Sequence, residues 1–287
     1  MKMKSFLSFT LVCLAIGFAS AQDDLMNELN ATKAGAKQVE MAAFKGLQIC
    51  NMQSTKLPVK GEFYFLVTHR FGDLQKGNEN FFGFDNALTR LGGIYGLTNW
   101  LAVGGSRHTY NKTFELSAKI KLADQMVDGF PVSIVEYNSM DINSSLKSAI
   151  DPELKFNNRM AYSSQLLISR KFSESFSLQL TPIFVHKNLY EPEIEKKDQF
   201  LMGAGGRYKI SKRVSFNVDY AARAGASDHD YYINPLTVGI DIETGGHVFQ
   251  MVFSNSQIMN DVAYYTNTIG RSNGGGIFFG FNMYRVF

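Results

Sequence analysis

Neither basic nor acidic side chains dominate this chain. Among 287 residues, 29 Lys and Arg stand against 26 Asp and Glu. A nucleic-acid binder needs a strong basic excess to meet phosphates, so that partner class is not expected. Cysteine is nearly absent, at 2. Cys13 and Cys50 cannot supply a zinc or iron–sulfur cluster, and no disulfide framework follows from them. No Gly-x-Ser-x-Gly elbow and no paired histidines at metal-ligand spacing occur. No cofactor or metal is therefore expected. Long apolar runs are missing too: beyond the N-terminus none reaches the roughly 18 residues that a membrane-spanning helix needs.

The one apolar stretch, Phe6 to Ala19, follows Lys2 and Lys4 and ends at Ala19-Ser20-Ala21. A basic start, a short apolar centre and a small-x-small site read as a cleaved secretory signal peptide over 1–21. Cys50 then becomes the sole thiol, and a small buried apolar residue is the expected role for it.

What is present is alternation. Phe114, Leu116, Ala118, Ile120 and Leu122 alternate with Thr113, Glu115, Ser117, Lys119 and Lys121. Val214, Phe216, Val218 and Tyr220 alternate with Ser215, Asn217, Asp219 and Ala221. Successive strand side chains point to opposite faces, so each segment carries one apolar and one polar face. Twelve segments follow this rhythm, near 60–71, 86–96, 100–109, 113–123, 131–142, 160–171, 176–187, 199–210, 214–223, 235–244, 247–255 and 276–287. Most hold about ten residues, the length a tilted strand needs to cross a bilayer.

The connections alternate between short turns and long loops, with 110–112 and 124–130 as exceptions. Lipid offers no hydrogen bonds to an open strand edge, so strands cross a membrane only as a closed ring. The fold class is therefore all-β: a closed antiparallel transmembrane β-barrel of about twelve strands over 60–287. Short turns face the periplasm and longer loops the exterior. Residues 22–59 form an N-terminal periplasmic or luminal extension, in which Lys45 to Gln53 reads as a strand or an inward plug. A soluble exported β-sandwich also alternates, but the segment lengths and loop asymmetry favour the barrel. Pro182 lies inside a strong segment and cannot donate to the ladder, which predicts a bulge there.

Near the end, Phe279, Phe281, Met283 and Phe287 share one face and the chain closes on an aromatic residue. This pattern is similar to the signal read by outer-membrane barrel-assembly machinery. Tyr95 and Trp100 flank one short turn and Phe172 and Phe176 another, as interfacial aromatics would.

From Ala43 onward the text resembles one family closely. Phe44-Lys45-Gly46, Lys60-Gly61-Glu62-Phe63, His69-Arg70-Phe71-Gly72, Phe82-Gly83-Phe84-Asp85, Arg90-Leu91-Gly92, Tyr95-Gly96-Leu97-Thr98, Lys112-Thr113 and Lys119-Ile120-Lys121-Leu122 carry the resemblance. The family is an uncharacterised group of Gram-negative outer-membrane β-barrels, known as a domain of unknown function. Gly93 departs from its usual aliphatic residue. The resemblance implies fold and an outer-membrane location and transfers no catalytic or ligand-binding residue.

Function must then come from the polar face. Alternation assigns Glu62, Arg70, Arg90, Glu115, Lys119, Lys121, Arg207, Asp219, Arg223, Asp241 and Glu243 to the lumen. Mixed signs fit either a narrow pore or solute-binding transporter with a small polar solute, or a structural, partner-docking barrel whose charges pair across the interior. A lipid-modifying enzyme using His69 or His186 is a third and weaker reading, so no enzymatic activity is expected. His108 has lumen parity, His247 abuts a turn, and Asp228-His229-Asp230 reads as a polar loop. The expected partners are outer-membrane lipid and the assembly machinery, which would meet the C-terminal strand.

Overall fold

Many apolar side chains of this protein lie outside and many polar ones inside. In β7 (Phe176–Lys187), Leu178 and Leu180 are exposed while Ser177, Gln179 and Thr181 are buried. β6 (Met160–Lys171) repeats this, with Leu166 exposed and Ser163, Gln165 and Ser169 buried. A water-soluble sandwich would place these residues the other way round. An apolar belt running over strand after strand requires an apolar solvent, and that solvent is lipid.

The computed structural model describes residues 39–40, 42–147, 153–225, 231–269 and 276–287. The signal sequence read at 1–21, the Asp228-His229-Asp230 loop and Gly274-Gly275 lie outside the described residues.

Twelve strands form one closed antiparallel ring. The others are β1 (Phe63–Asp73), β2 (Ala87–Gly96), β3 (Leu101–His108), β4 (Thr113–Ala123), β5 (Ser133–Asn143), β8 (Asp198–Lys209), β9 (Val214–Arg223), β10 (Leu236–Thr244), β11 (His247–Ser254) and β12 (Phe278–Val286). Sealing occurs between the first and last strands, in a register running from Tyr64↔Val286 to Arg70↔Gly280. Every strand thus has two neighbours, which removes the edge that lipid could not satisfy.

Pro182 does not produce the predicted bulge. It pairs in register with Met202 of β8. On the β6 side, pairing pauses between Gln165↔Ile183 and Ile168↔Leu180 and resumes in the same register. The ladder gives up contacts locally without inserting a residue. The register shifts lie elsewhere, between Arg70 and Asp73 against β12 and between Lys121 and Ala123 against β5.

Two segments turn into the interior. The first spans 43–57, where Phe44, Leu47, Ile49, Cys50 and Met52 are buried. A bridge between Gln48 and Gln53, with Ile49 N–H donating to the Met52 carbonyl (2.8 Å), folds it into a small hairpin. Both ends of this segment lie on the short-turn side. Glu40 N–H donates to Gln125 O in the β4–β5 turn (2.8 Å), and Lys60 N–H donates to Asn99 Oδ1 in the β2–β3 turn (3.1 Å). The β4–β5 turn is longer than its peers, and it is the turn that receives the entering chain.

The second segment is 256–268, part of the connection from β11 to β12. As a long connection between two strand segments it is expected among the extracellular loops. Instead it folds inward as a buried helix, α1 (Asp261–Thr266). Its apolar Val262 and its Tyr264 and Tyr265 pack with Met52 and with Ile183, Val185 and Leu201 of the wall. That burial is the physical reason for the departure.

Candidate functional site

The interior is where sequence and structure place the charged residues, and the hairpin tip is its centre. A hairpin as short as this leaves most of its own backbone groups unpaired, and buried amides need partners. The wall supplies them. Asp219 Oδ2 accepts three successive N–H groups, from Cys50 (2.9 Å), Asn51 (2.9 Å) and Met52 (3.0 Å). Its other oxygen accepts from the Tyr264 hydroxyl (3.1 Å). One carboxylate on β9 therefore holds both inward segments.

Lys119 donates from the opposite side to the carbonyls of Leu47 and Ser54, each at 2.9 Å. Arg70 donates to Asn51 Oδ1 (2.6 Å) and Asn282 Oδ1 (2.9 Å). Asn282 in turn donates to Cys50 O (2.7 Å), and Gln250 donates to Ile49 O and to Asp241 Oδ1, both at 2.5 Å. Gln179 donates to Gln53 O (2.8 Å), and Tyr284 donates to Gln48 Oε1 (3.0 Å). Strands all around the ring thus address one hairpin.

The wall is also shaped for it. A Cβ on Gly203 would lie 2.3 Å from Met52 Cε, and one on Gly205 would lie 2.4 Å from Ile49 Cδ1. The two hairpin side chains fill the space that these two glycines leave.

The remaining lumen-parity charges fall into separate groups. Arg90 donates to Glu115 (2.6 Å), which also meets Ser106 and His108. Arg207 pairs with Glu243 (3.0 Å), which also receives Lys45 of the entering segment (3.3 Å). Arg223 reaches the carbonyls of Tyr232 (3.3 Å) and Tyr265 (3.4 Å). Glu62 and Lys121 lie at the short-turn rim. Glu62 accepts from Val59 N–H (3.0 Å) and Lys121 pairs with Asp124 (3.1 Å).

Alternation could have added Gln179, Gln250, Asn282 and Tyr284, which share inward parity with the charges. It could not have found Asp261 or Tyr264, which leave no period-two trace in a connecting segment. Asp261 accepts from Tyr137 (2.7 Å) and from Gln53 (3.1 Å). Burial, with nearby Glu115, pushes its carboxyl up to about 6. Burial, with Asp219 nearby, pushes the Cys50 thiol well above its usual range, so it is an inert packing thiol here.

No catalytic relay assembles among the described residues. Ser106 and Glu115 both meet the same ring nitrogen of His108, and its other nitrogen has no partner. An oriented base needs the two nitrogens shared between nucleophile and orienter. His69 shares a hydrogen bond with Thr89 (2.9 Å) and stacks on Phe281, while His186 bonds Asp198 (2.6 Å) and Asn188 (3.0 Å). No group of three His, Cys, Asp or Glu side chains is placed to hold a metal ion among the described residues.

Residues 44–287 match the family described as membrane bound beta barrel domain (DUF5777). The chain belongs to that family. Among solved structures, the NanC porin is 8% identical, with 78% of this chain and 98% of that chain covered at a TM-score of 0.50. The KdgM porin in complex with disordered oligogalacturonate is 10% identical, covering 79% and 99% at 0.49. An outer membrane channel from Pseudomonas putida F1 is 14% identical, covering 81% and 97% at 0.47. At 8% identity the likeness to the NanC porin is one of fold alone. Comparison with curated proteins yields no match. The protein is a membrane-bound β-barrel of the outer-membrane type.

Proposed function

We propose that the protein is a narrow polar conduit of the outer membrane, described here in its closed form, with the 43–57 hairpin as its gate. The observation that carries this reading is that both ends of the hairpin lie on the short-turn side. It can leave the lumen toward that side without threading the wall or opening any strand pair. Once it leaves, Arg70, Lys119, Asp219 and Asp241 would line a wet passage and set its preference for small polar solutes.

The same reading includes export by the N-terminal signal, insertion in a Gram-negative outer membrane, and recognition of the Phe279, Phe281, Met283 and Phe287 face by the assembly machinery. Phe279, Phe281 and Met283 of β12, with Phe287 just beyond it, share the outward parity, opposite to the buried Asn282 and Tyr284. It assigns no catalytic residue.

Planar-bilayer recording tests the gate. A protein lacking residues 43–57 is expected to give discrete, ion-conducting steps, while the full chain stays closed most of the time. Equal, near-zero conductance from both would overturn the proposal and leave the structural reading.

A further inference from the structure

The lipid-facing wall carries a polar patch inside its apolar belt. On β5 the outward positions read Ile134, Glu136, Asn138, Met140 and Ile142. Glu136 and Asn138 therefore face lipid, with apolar side chains below and above them on the same strand. They pair with Ile120 and Ala118 of β4. Leu122 and Leu116, which bracket those two, are more than half exposed, so the patch lies within the belt. Ser164 of β6 pairs with Asn138 from the other side and shares its outward parity. Elsewhere on the outer face, Arg107, Arg170, His186 and Arg285 lie near strand ends, and His69 and Thr89 bond each other (2.9 Å).

Hydrocarbon offers neither donor nor acceptor, so polar side chains that face it call for protein partners. Glu136 Oε1 accepts from Asn138 Nδ2 (3.0 Å). A side-chain amide has two N–H groups and a carbonyl oxygen with two lone pairs, so this bond leaves it both a donor and an acceptor, whichever way it is turned. Neither has a further partner among the described residues. A primary amide is its own complement, since two of them face to face exchange two N–H···O bonds. Ala118 and Ser164, on either side at the same level, are small and let a second wall come close.

We infer that the β4–β6 face is the interface between two copies of this chain, closed by a mutual pair of Asn138 amides. Copies in one membrane share the same up-down sense, so a two-fold axis along the membrane normal sets equal heights against each other. With the axis at Asn138, each amide meets the other, and Ala118 of one copy faces Ser164 of the second. A different protein would have to bring a complement, whereas this patch carries its own. The interface leaves the lumen untouched and does not rest on the conduit reading.

Oxidative cross-linking of the full-length protein in phosphatidylcholine vesicles tests the interface. Within one chain, positions 118 and 164 stand two strand spacings apart, roughly 9–10 Å, too far for an internal disulfide. Native Cys50 is buried and does not compete. Ala118→Cys combined with Ser164→Cys should therefore give disulfide-linked dimers, about tenfold or more above those of Met251→Cys on β11, at the far side of the ring. Adding Asn138→Leu should lower the dimer yield about threefold or more, as expected for two hydrogen bonds in lipid. Should the double variant not fold, sedimentation of the parent and of Asn138→Leu in mild detergent takes its place, with dimer and monomer expected respectively. Cross-linking no greater than that of Met251→Cys, or a parent that sediments as a monomer, overturns the interface. Dimers undiminished by Asn138→Leu overturn the amide pair.

Discussion

The Tyr264 hydroxyl donates to Asp219 Oδ1 at 3.1 Å, across 45 residues of sequence. That bond ties a segment folded in from the long-loop side to the residue that holds a hairpin inserted from the turn side. One carboxylate therefore joins the two inward segments.

Removing that carboxylate should free the hairpin tip. In Asp219→Ala, three buried N–H groups lose their acceptor, and bonds to a charged group contribute about 1.5–3 kcal/mol each. Cys50, fully buried in the native protein, becomes the reporter. Its maleimide labelling in the folded barrel should accelerate at least tenfold over the parent. Unchanged labelling would show that the tip does not depend on Asp219.

The glycine gap makes a second expectation. Gly205→Ala places a methyl group where Ile49 Cδ1 now sits, 2.4 Å from the added atom. Overpacking of this kind costs about 1–3 kcal/mol. Cys50 should again label faster, and Ile49→Ala in the same chain should restore protection. The pair is expected to be non-additive, as for residues in contact. Additive effects would mean that the two side chains do not meet.

Acidity should tighten the inner helix. Burial raises the Asp261 carboxyl from an ordinary 3.8 to about 6. The packed state then binds more protons than the released state between those values, so its stability is full below about 4 and declines as pH rises through about 6. Channel open probability in bilayers should accordingly rise from pH 4.5 to 7, and Asp261→Asn should flatten the profile. A profile that falls with pH would reverse the assigned sign.

The Arg90–Glu115 pair should behave as a buried ion pair. Arg90→Ala alone leaves Glu115 without its cation and is expected to destabilise by about 3–5 kcal/mol. Arg90→Ala with Glu115→Ala should cost less than the first change alone. Thermal unfolding in detergent, followed by heat-modifiable gel migration, measures both.

Much of the wall is legible from alternation. The segments read at 113–123, 160–171, 176–187 and 214–223 coincide with β4, β6, β7 and β9. Period two assigns inward and outward faces directly, because a one-residue slip would put every apolar side chain in the wrong solvent. The interior is less legible. Phe44, Ile49, Cys50 and Met52 look like ordinary apolar residues, and only the closed ring gives them a cavity to fill. The connection holding Asp261 and Tyr264 carries no period, so its inward course follows from packing alone. Pro182 failed as a bulge signal because β6 drops two pairings there instead of shifting register.

The hairpin's motion can be locked and released in one protein. A Cβ at position 239 would lie 3.1 Å from Cys50 Sγ, close enough for a disulfide after Gly239→Cys. Single-channel recording of that variant should give openings under reducing conditions, near-complete loss of openings after oxidation, and recovery on adding dithiothreitol. Openings that persist unchanged with the disulfide formed would contradict a gate made by the 43–57 hairpin.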